Sequence, residues 1–314
     1  MRQWDVRPSV LQRFPLVRHY SRALLPLMPR AFDRFDLSSF DVVITVSSAF
    51  SKNVRTKNGT TNLCYCLTPP RYLWDLSDQY FAGGGARMLA SPAIRWLRAV
   101  DRRAADRVHT FLAISETVAS RVQRAYGRTA TVIFPPVETD RVRPSGNAPE
   151  DFYLVVARLV PYKRIDLAIA ACNKLGRRLV VVGTGPDRRR LAALAGPTIT
   201  LLGSLPDDEV AALYARCRAF LFPGFEDFGI TPVEAQAAGR PVIAFGAGGA
   251  AETVVEGVTG VQFREQTVDA LVNAIERADT LSFDPARCRA NALRFDARVF
   301  RERIEAVVAT SLGR

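Results

Sequence analysis

The chain has 314 residues, 48% of them hydrophobic and 24% charged, with 43 Lys and Arg against 31 Asp and Glu. That length suits two compact lobes of about 150 residues each, and that balance excludes wholesale disorder. No run approaches the roughly 18 apolar residues that a bilayer span needs, and the opening "MRQWDVRPSVLQRFP" lacks the apolar block of a secretory signal, so the expected location is cytoplasmic. Five scattered cysteines (Cys64, Cys66, Cys172, Cys217, Cys288) and two histidines (His19, His109) offer neither a disulfide framework nor a zinc cluster. Buried thiols are expected instead.

The net charge of +12 is unevenly placed. Residues 1–144 hold 22 Lys and Arg against 11 Asp and Glu, whereas residues 145–314 hold 21 against 20. The first half therefore suits an anionic partner, a phosphate-bearing substrate or a lipid surface, or else carries a solvated basic face.

In chain order, the first lobe offers strands at "DVVITVS" from Asp41, "TNLCYCL" from Thr61, "HTFLAIS" from His109 and "TATVIF" from Thr129. Helices are expected near Ala93 to Asp106 and from Glu116 to Tyr126. Residues 1–40 contain no glycine, whereas a nucleotide-binding parallel sheet opens with a strand and a glycine turn. The first lobe is therefore expected to lack its opening βαβ unit. Pro135, Pro136, Pro144, Gly146 and Pro149 mark a linker, with the boundary placed at residue 145.

From Asp151 to Phe263 the apolar runs "FYLVVAR", "RLVVVG", "TITLLG", "AFLFPG" and "PVIAFG" alternate with helical segments. Continuous apolar strands in βαβ order predict a parallel sheet buried on both faces, a doubly wound Rossmann-like domain over 145–290. Its helices are predicted at Arg164 to Leu175, Asp187 to Leu194, Asp208 to Arg216 and Pro232 to Ala238. One closing helix is expected from Asn291 to Leu312. The fold class is α/β, with two Rossmann-like domains, the first incomplete.

Ligands of open α/β sheets sit beyond the carboxyl ends of the strands. At "AFLFPGFEDFGITPVEAQAAG", Glu226 and Glu234 are separated by seven residues across Gly229 and Pro232. Thr231, Pro232 and Glu234 match the cap, first and third positions of a helical capping box, which is the plainer reading of Glu234. That reading leaves Glu226 unexplained, in a loop where Gly229 permits close backbone approach. Arg158 and Lys163 in "ARLVPYKR" follow a strand and can grip a diphosphate from two sides. "VVGTGP", with Gly183 and Gly185, and "GAGGAAE" from Gly246 are further strand-to-helix glycine turns.

Taken together, these motifs resemble the retaining glycosyltransferases of family 4, which have the two-lobed GT-B fold. The first lobe is similar to a polysaccharide mannosyltransferase-like branch through "LLPLMP", "CYCLTPPRYLWD" and "ATVIFPPV". The resemblance implies transfer of a mannose-like hexose from a nucleotide-diphosphate sugar, lying between the lobes, to a glycan or lipid-linked acceptor. Configuration would be retained, with no metal and no cofactor beyond the donor substrate. It assigns Arg158, Lys163 and Glu226 to catalysis, with Glu226 on the donor sugar. Gly183, Gly185, Phe228, Gly229, Ile230, Thr231 and Glu234 are assigned to substrate binding, with Glu234 on the ribose. It also implies a final helix, 291–314, crossing back to an acceptor-side first domain, 1–144, with peripheral membrane contact through the basic lobe.

Where the relatives usually read C-H-T-P, this chain has Cys66-Leu67-Thr68-Pro69, and leucine neither donates nor accepts a hydrogen bond. A nucleotide-sugar-binding remnant without transfer is therefore the alternative function. A nucleic-acid binder lacks any recognisable signature here, and a dinucleotide oxidoreductase lacks its G-x-G-x-x-G turn.

Overall fold

The structure, a computed structural model, describes residues 6–13, 24–75 and 84–313. By internal contact the chain divides into one unit of Met1–Ile133 with Glu305–Arg314 and a second of Phe134–Ile304.

The first unit holds a four-stranded parallel sheet in the order β1-β2-β3-β4, with β1 Val42–Ser47, β2 Thr61–Cys66, β3 Thr110–Ala113 and β4 Ala130–Val132. Leu63, Cys64, Tyr65 and Cys66 of β2 are all buried, as the apolar run predicts. The helix Glu116–Tyr126 falls where its periodicity puts it: the Ser115 hydroxyl caps the Val118 N–H and Gly127 closes the helix at φ 68°. The helix expected to begin near Ala93, just past Pro92, instead spans Gly84–Asp106 and runs through that proline. A single missing N–H did not break it, although proline usually ends a helix. Within the sheet's own layers, the Lys52 ammonium, fully buried, meets Asp101 at 2.5 Å, and Trp74 Nε1 and Tyr126 Oη donate to the same carboxylate at 2.9 and 2.7 Å.

The second unit holds six parallel strands: β5 Tyr153–Val156, β6 Leu179–Val182, β7 Ile199–Gly203, β8 Ala219–Phe222, β9 Val242–Phe245 and β10 Gly260–Phe263. Their order is β10-β9-β8-β5-β6-β7, so the winding reverses between β5 and β8. That reversal opens a crevice beyond the carboxyl ends of these two strands. Leu179, Leu221, Ile243 and Val261 are fully buried beneath helices Ile165–Leu175 and Val268–Asp279, each contributing on the order of 2 kcal/mol by leaving water.

The stretch from Asn291 to Leu312, expected as one helix, is two, Pro285–Leu293 and Ala297–Ser311. The break serves packing. Phe295 between them is 2% exposed and stacks edge-on against Phe134 and Phe228 at 5.0 and 5.7 Å. The proline-rich segment expected as a linker is also built into the second unit. Val137 bridges Asp296, Thr139 Oγ1 donates to Asp296 at 2.5 Å, and Arg289 Nη1 donates to the carbonyls of Thr139, Val142 and Ala237.

Candidate functional site

The site grows from the turns that follow β5, β6 and β8. Gly183 and Gly185 were expected as a strand-to-helix glycine turn, which the resemblance assigned to substrate binding. Their hydrogens face the turn after β5: a Cβ on Gly183 would lie 1.9 Å from the Ala157 carbonyl oxygen, and one on Gly185 2.2 Å from that of Leu159. The two turns are zipped by Ala157 N–H to the Val182 carbonyl and Leu159 N–H to the Thr184 carbonyl, at 3.0 and 2.9 Å. Glycine here permits backbone to meet backbone, which fixes where Arg158 starts.

A cleft of about 560 Å³ lies over this edge, within the second unit. Arg158, Gly183, Gly185, Thr231 and Glu234 all line it, together with Arg141, Ser204 and Asp207. Arg158 is exposed, and its guanidinium has no hydrogen-bond or ion-pair partner among the described residues. A cation unneutralised by protein groups in a concave site favours an anionic ligand.

The capping box is corrected by the structure. The helix runs Ile230–Ala237 with Gly229 as its cap at φ 85°, and no side chain caps it. Entry through a left-handed glycine starts the helix two residues early, so Thr231 and Glu234 lie inside it and cannot reach its first N–H groups. Glu234, 9% exposed, is held by other partners: Arg141 Nη2 donates to Oε1, and Tyr214 Oη donates to Oε2 at 3.0 Å. Burial, reinforced by the Glu234 charge, pushes the Tyr214 hydroxyl well above its ordinary range, so it stays a donor. Sequence reading missed both Arg141 and Tyr214. The prolines around Arg141 masked it as linker, and Tyr214 read as one more apolar position of a helix, observed as Asp207–Arg216.

Lys163 and Glu226 do not line that cleft; they form an ion pair with each other. Lys163 ends the 3-10 turn Pro161–Lys163, and Arg164, expected as the first helical residue, is instead a left-handed cap at φ 51°. It is the one non-glycine residue at positive φ among those described, a conformation costing roughly 1 kcal/mol that persists where the surroundings over-determine it. The Glu226 carbonyl accepts from Gly249 N–H at 2.9 Å. Phe228, 3% exposed, is a core ring rather than a ligand contact through its side chain, whereas Ile230 is 47% exposed.

In the first unit, Leu67 follows β2, its N–H donating to the Ser47 carbonyl at 2.8 Å. Beside it Arg121 Nη1 donates to Thr68 Oγ1 at 3.0 Å and pairs with Asp75 at 2.8 Å. All five cysteines are buried and free; burial pushes the Cys172, Cys217 and Cys288 thiols up to about 12, so none of these three is a ready nucleophile. Among the described residues no group of three or more His, Cys, Asp or Glu is placed to hold a metal, and no helix is long and apolar enough to cross a membrane.

The chain is similar to the GDP-mannose-dependent alpha-(1-6)-phosphatidylinositol monomannoside mannosyltransferase of Mycobacterium tuberculosis, 32% identical over 231 residues, 61% of this chain and 60% of that one. Glycogen synthase of Pseudomonas aeruginosa is 34% identical over 155 residues, 45% of this chain and 30% of its own length. The chain thus spans about three fifths or less of these curated relatives. Among solved structures, sucrose-phosphate synthase from Thermosynechococcus elongatus superposes with a TM-score of 0.75 at 20% identity, over 99% of this chain and 86% of that one. Anabaena HepE in complex with UDP and glucose gives 0.66 at 19%, over 98% and 84%. These likenesses place the fold in the GT-B class of two Rossmann-like domains. A family model described as glycosyl transferases group 1 matches residues 137–295, half of the sequence and nearly all of the second unit. The chain belongs to the glycosyl transferases group 1 family.

Proposed function

We propose that the chain transfers a mannose-like hexose from a nucleoside diphosphate sugar to a glycan or lipid-linked acceptor, with retention and without a metal. The observation that carries this reading is the convergence on one cleft, at the strand reversal, of the Arg158 guanidinium, which has no partner among the described residues, and the buried carboxylate of Glu234. Arg158 and the N–H groups of Gly229 to Thr231 take the diphosphate, where the positive end of a helix adds to the guanidinium. Glu234 accepts from the ribose hydroxyls. Lys163 exchanges Glu226 for a phosphate oxygen, which frees Glu226 to accept from a hydroxyl of the donor sugar.

The bond from the anomeric carbon to the phosphate oxygen breaks as that from the acceptor oxygen forms on the same face, and the acceptor proton passes to the leaving diphosphate. Negative charge grows on the leaving oxygen, so fixed cations stabilise the transition state more than the ground state. The relative that uses GDP-mannose makes a guanosine donor the first to try. A cytoplasmic location, with the basic first domain resting on a membrane that carries the acceptor, fits the charge distribution.

Transfer from radiolabelled GDP-mannose to bacterial membrane lipid is the direct assay. Glu226→Ala is expected to lower it about a hundredfold or more while circular dichroism is unchanged; unaltered transfer would remove Glu226 from the chemistry. Leu67 supports a second reading, donor binding without transfer, because a side chain with no hydrogen-bonding group stands where the family resemblance implies a histidine. Donor binding with no turnover, even in Leu67→His, would favour it.

A further inference from the structure

We propose that Arg141 is a positioning residue for the donor's ribose, acting through Glu234; the proposal rests on the donor reading above. An ionised carboxylate offers about four lone-pair sites. Arg141 takes one on Oε1 and Tyr214 one on Oε2, leaving about one on each oxygen, as two vicinal hydroxyls require. Without these bonds a glutamate has three rotatable torsions to freeze each time a ligand binds.

Arg141 is itself held at several points. Its Nη1 pairs with Asp207 at 3.3 Å while Nη2 serves Glu234, which fixes the plane of the guanidinium. Its backbone is pinned on both sides by Arg289 Nη1, which also reaches the Ala237 carbonyl at the end of the Glu234 helix. Arg289 therefore couples the segment that carries Arg141 to the helix that carries Glu234. A carboxylate serving only the core would not need to line a cleft, yet Arg141, Asp207 and Glu234 all do.

The test is calorimetric titration of GDP and of 2′,3′-dideoxy-GDP into wild type, Arg141→Met and Tyr214→Phe, with UDP and its dideoxy analogue used if GDP does not bind. Wild type is expected to prefer the ribonucleotide about tenfold or more. Arg141→Met should weaken GDP about tenfold and the dideoxy analogue less than twofold, and Arg141→Lys should recover part of the loss. Tyr214→Phe, which removes one oxygen from a buried ring, should shift the same ratio in the same direction by a smaller factor. It also decides the matter should Arg141→Met fail to fold. A general loss of packing would weaken both nucleotides alike, and that result, or no change in either, overturns the proposal while leaving the donor reading intact. Failure of wild type to bind either nucleotide, or equal binding of the ribo and dideoxy forms, overturns the donor reading and this proposal with it.

Discussion

The two edges of the second sheet spend their charges differently. At the amino edge, Asp279 at the end of the helix Val268–Asp279 accepts from Tyr153 Oη at 3.0 Å, Arg177 at 2.8 Å and Arg218 at 2.7 Å. The two arginines that line the cavity there both have partners, Arg218 in Asp279 and Arg240 in the carbonyls of Ala215 and Asn147, and burial with the Asp279 charge pushes the Tyr153 hydroxyl far above its ordinary range. At the carboxyl edge Arg158 is exposed, lines a cleft and has no acidic partner among the described residues. A cavity of about 330 Å³ touches the amino edge as well. Concavity alone therefore does not distinguish the two edges, whereas a guanidinium inside the concavity with no hydrogen-bond or ion-pair partner among the described residues does.

Gly183→Ala would break the carboxyl edge. The new methyl meets a backbone oxygen at 1.9 Å, and φ is 132°, so the turns after β5 and β6 must part. A loss of about 3 kcal/mol in urea unfolding is expected, with donor binding gone; a loss under about 1 kcal/mol would show that those turns yield easily. Asp279→Asn sharpens the comparison from the other side. Leaving Arg177 and Arg218 without their carboxylate should cost about 2 kcal/mol of stability, less than for a fully buried pair because both guanidinium groups are over a third exposed. Donor affinity should not change, and a parallel loss of affinity would mean that the two edges are not independent.

Much of this was legible in the sequence. Strands β5 to β9 announced themselves as unbroken apolar runs, and the charge and glycine patterns marked the carboxyl edge. The tenth strand, "GVQF", was missed because four residues with a glycine and a glutamine carry no period. The capping box misled because the spacing of Thr231, Pro232 and Glu234 is that of a helix start; only the left-handed geometry of Gly229 moves the start upstream. Arg141 lies 93 positions from Glu234, and no local pattern can report a pair that tertiary folding creates.

The smallest expected effect concerns Asp296, behind the segment that carries Arg141. Burial raises its carboxyl, but the Thr139 hydroxyl, the Arg298 N–H and the Arg298 charge outweigh it and hold it below its ordinary value of 3.8. A depressed folded-state value adds stability that is fully present above the unfolded value and lost as pH falls through the folded one. Wild type should therefore lose stability below about pH 4, and Asp296→Asn should flatten that part of the acid limb, measured as Tm against pH. An unchanged limb would assign acid sensitivity to other carboxylates.

The central claim is that Arg158 and its edge of the sheet hold a diphosphate, and calorimetry with GDP and guanosine on wild type and Arg158→Ala tests it most directly. Wild type should bind GDP about a hundredfold more tightly than guanosine, and Arg158→Ala should erase most of that difference while guanosine binding stays put. Equal affinity for GDP in wild type and variant would contradict the account.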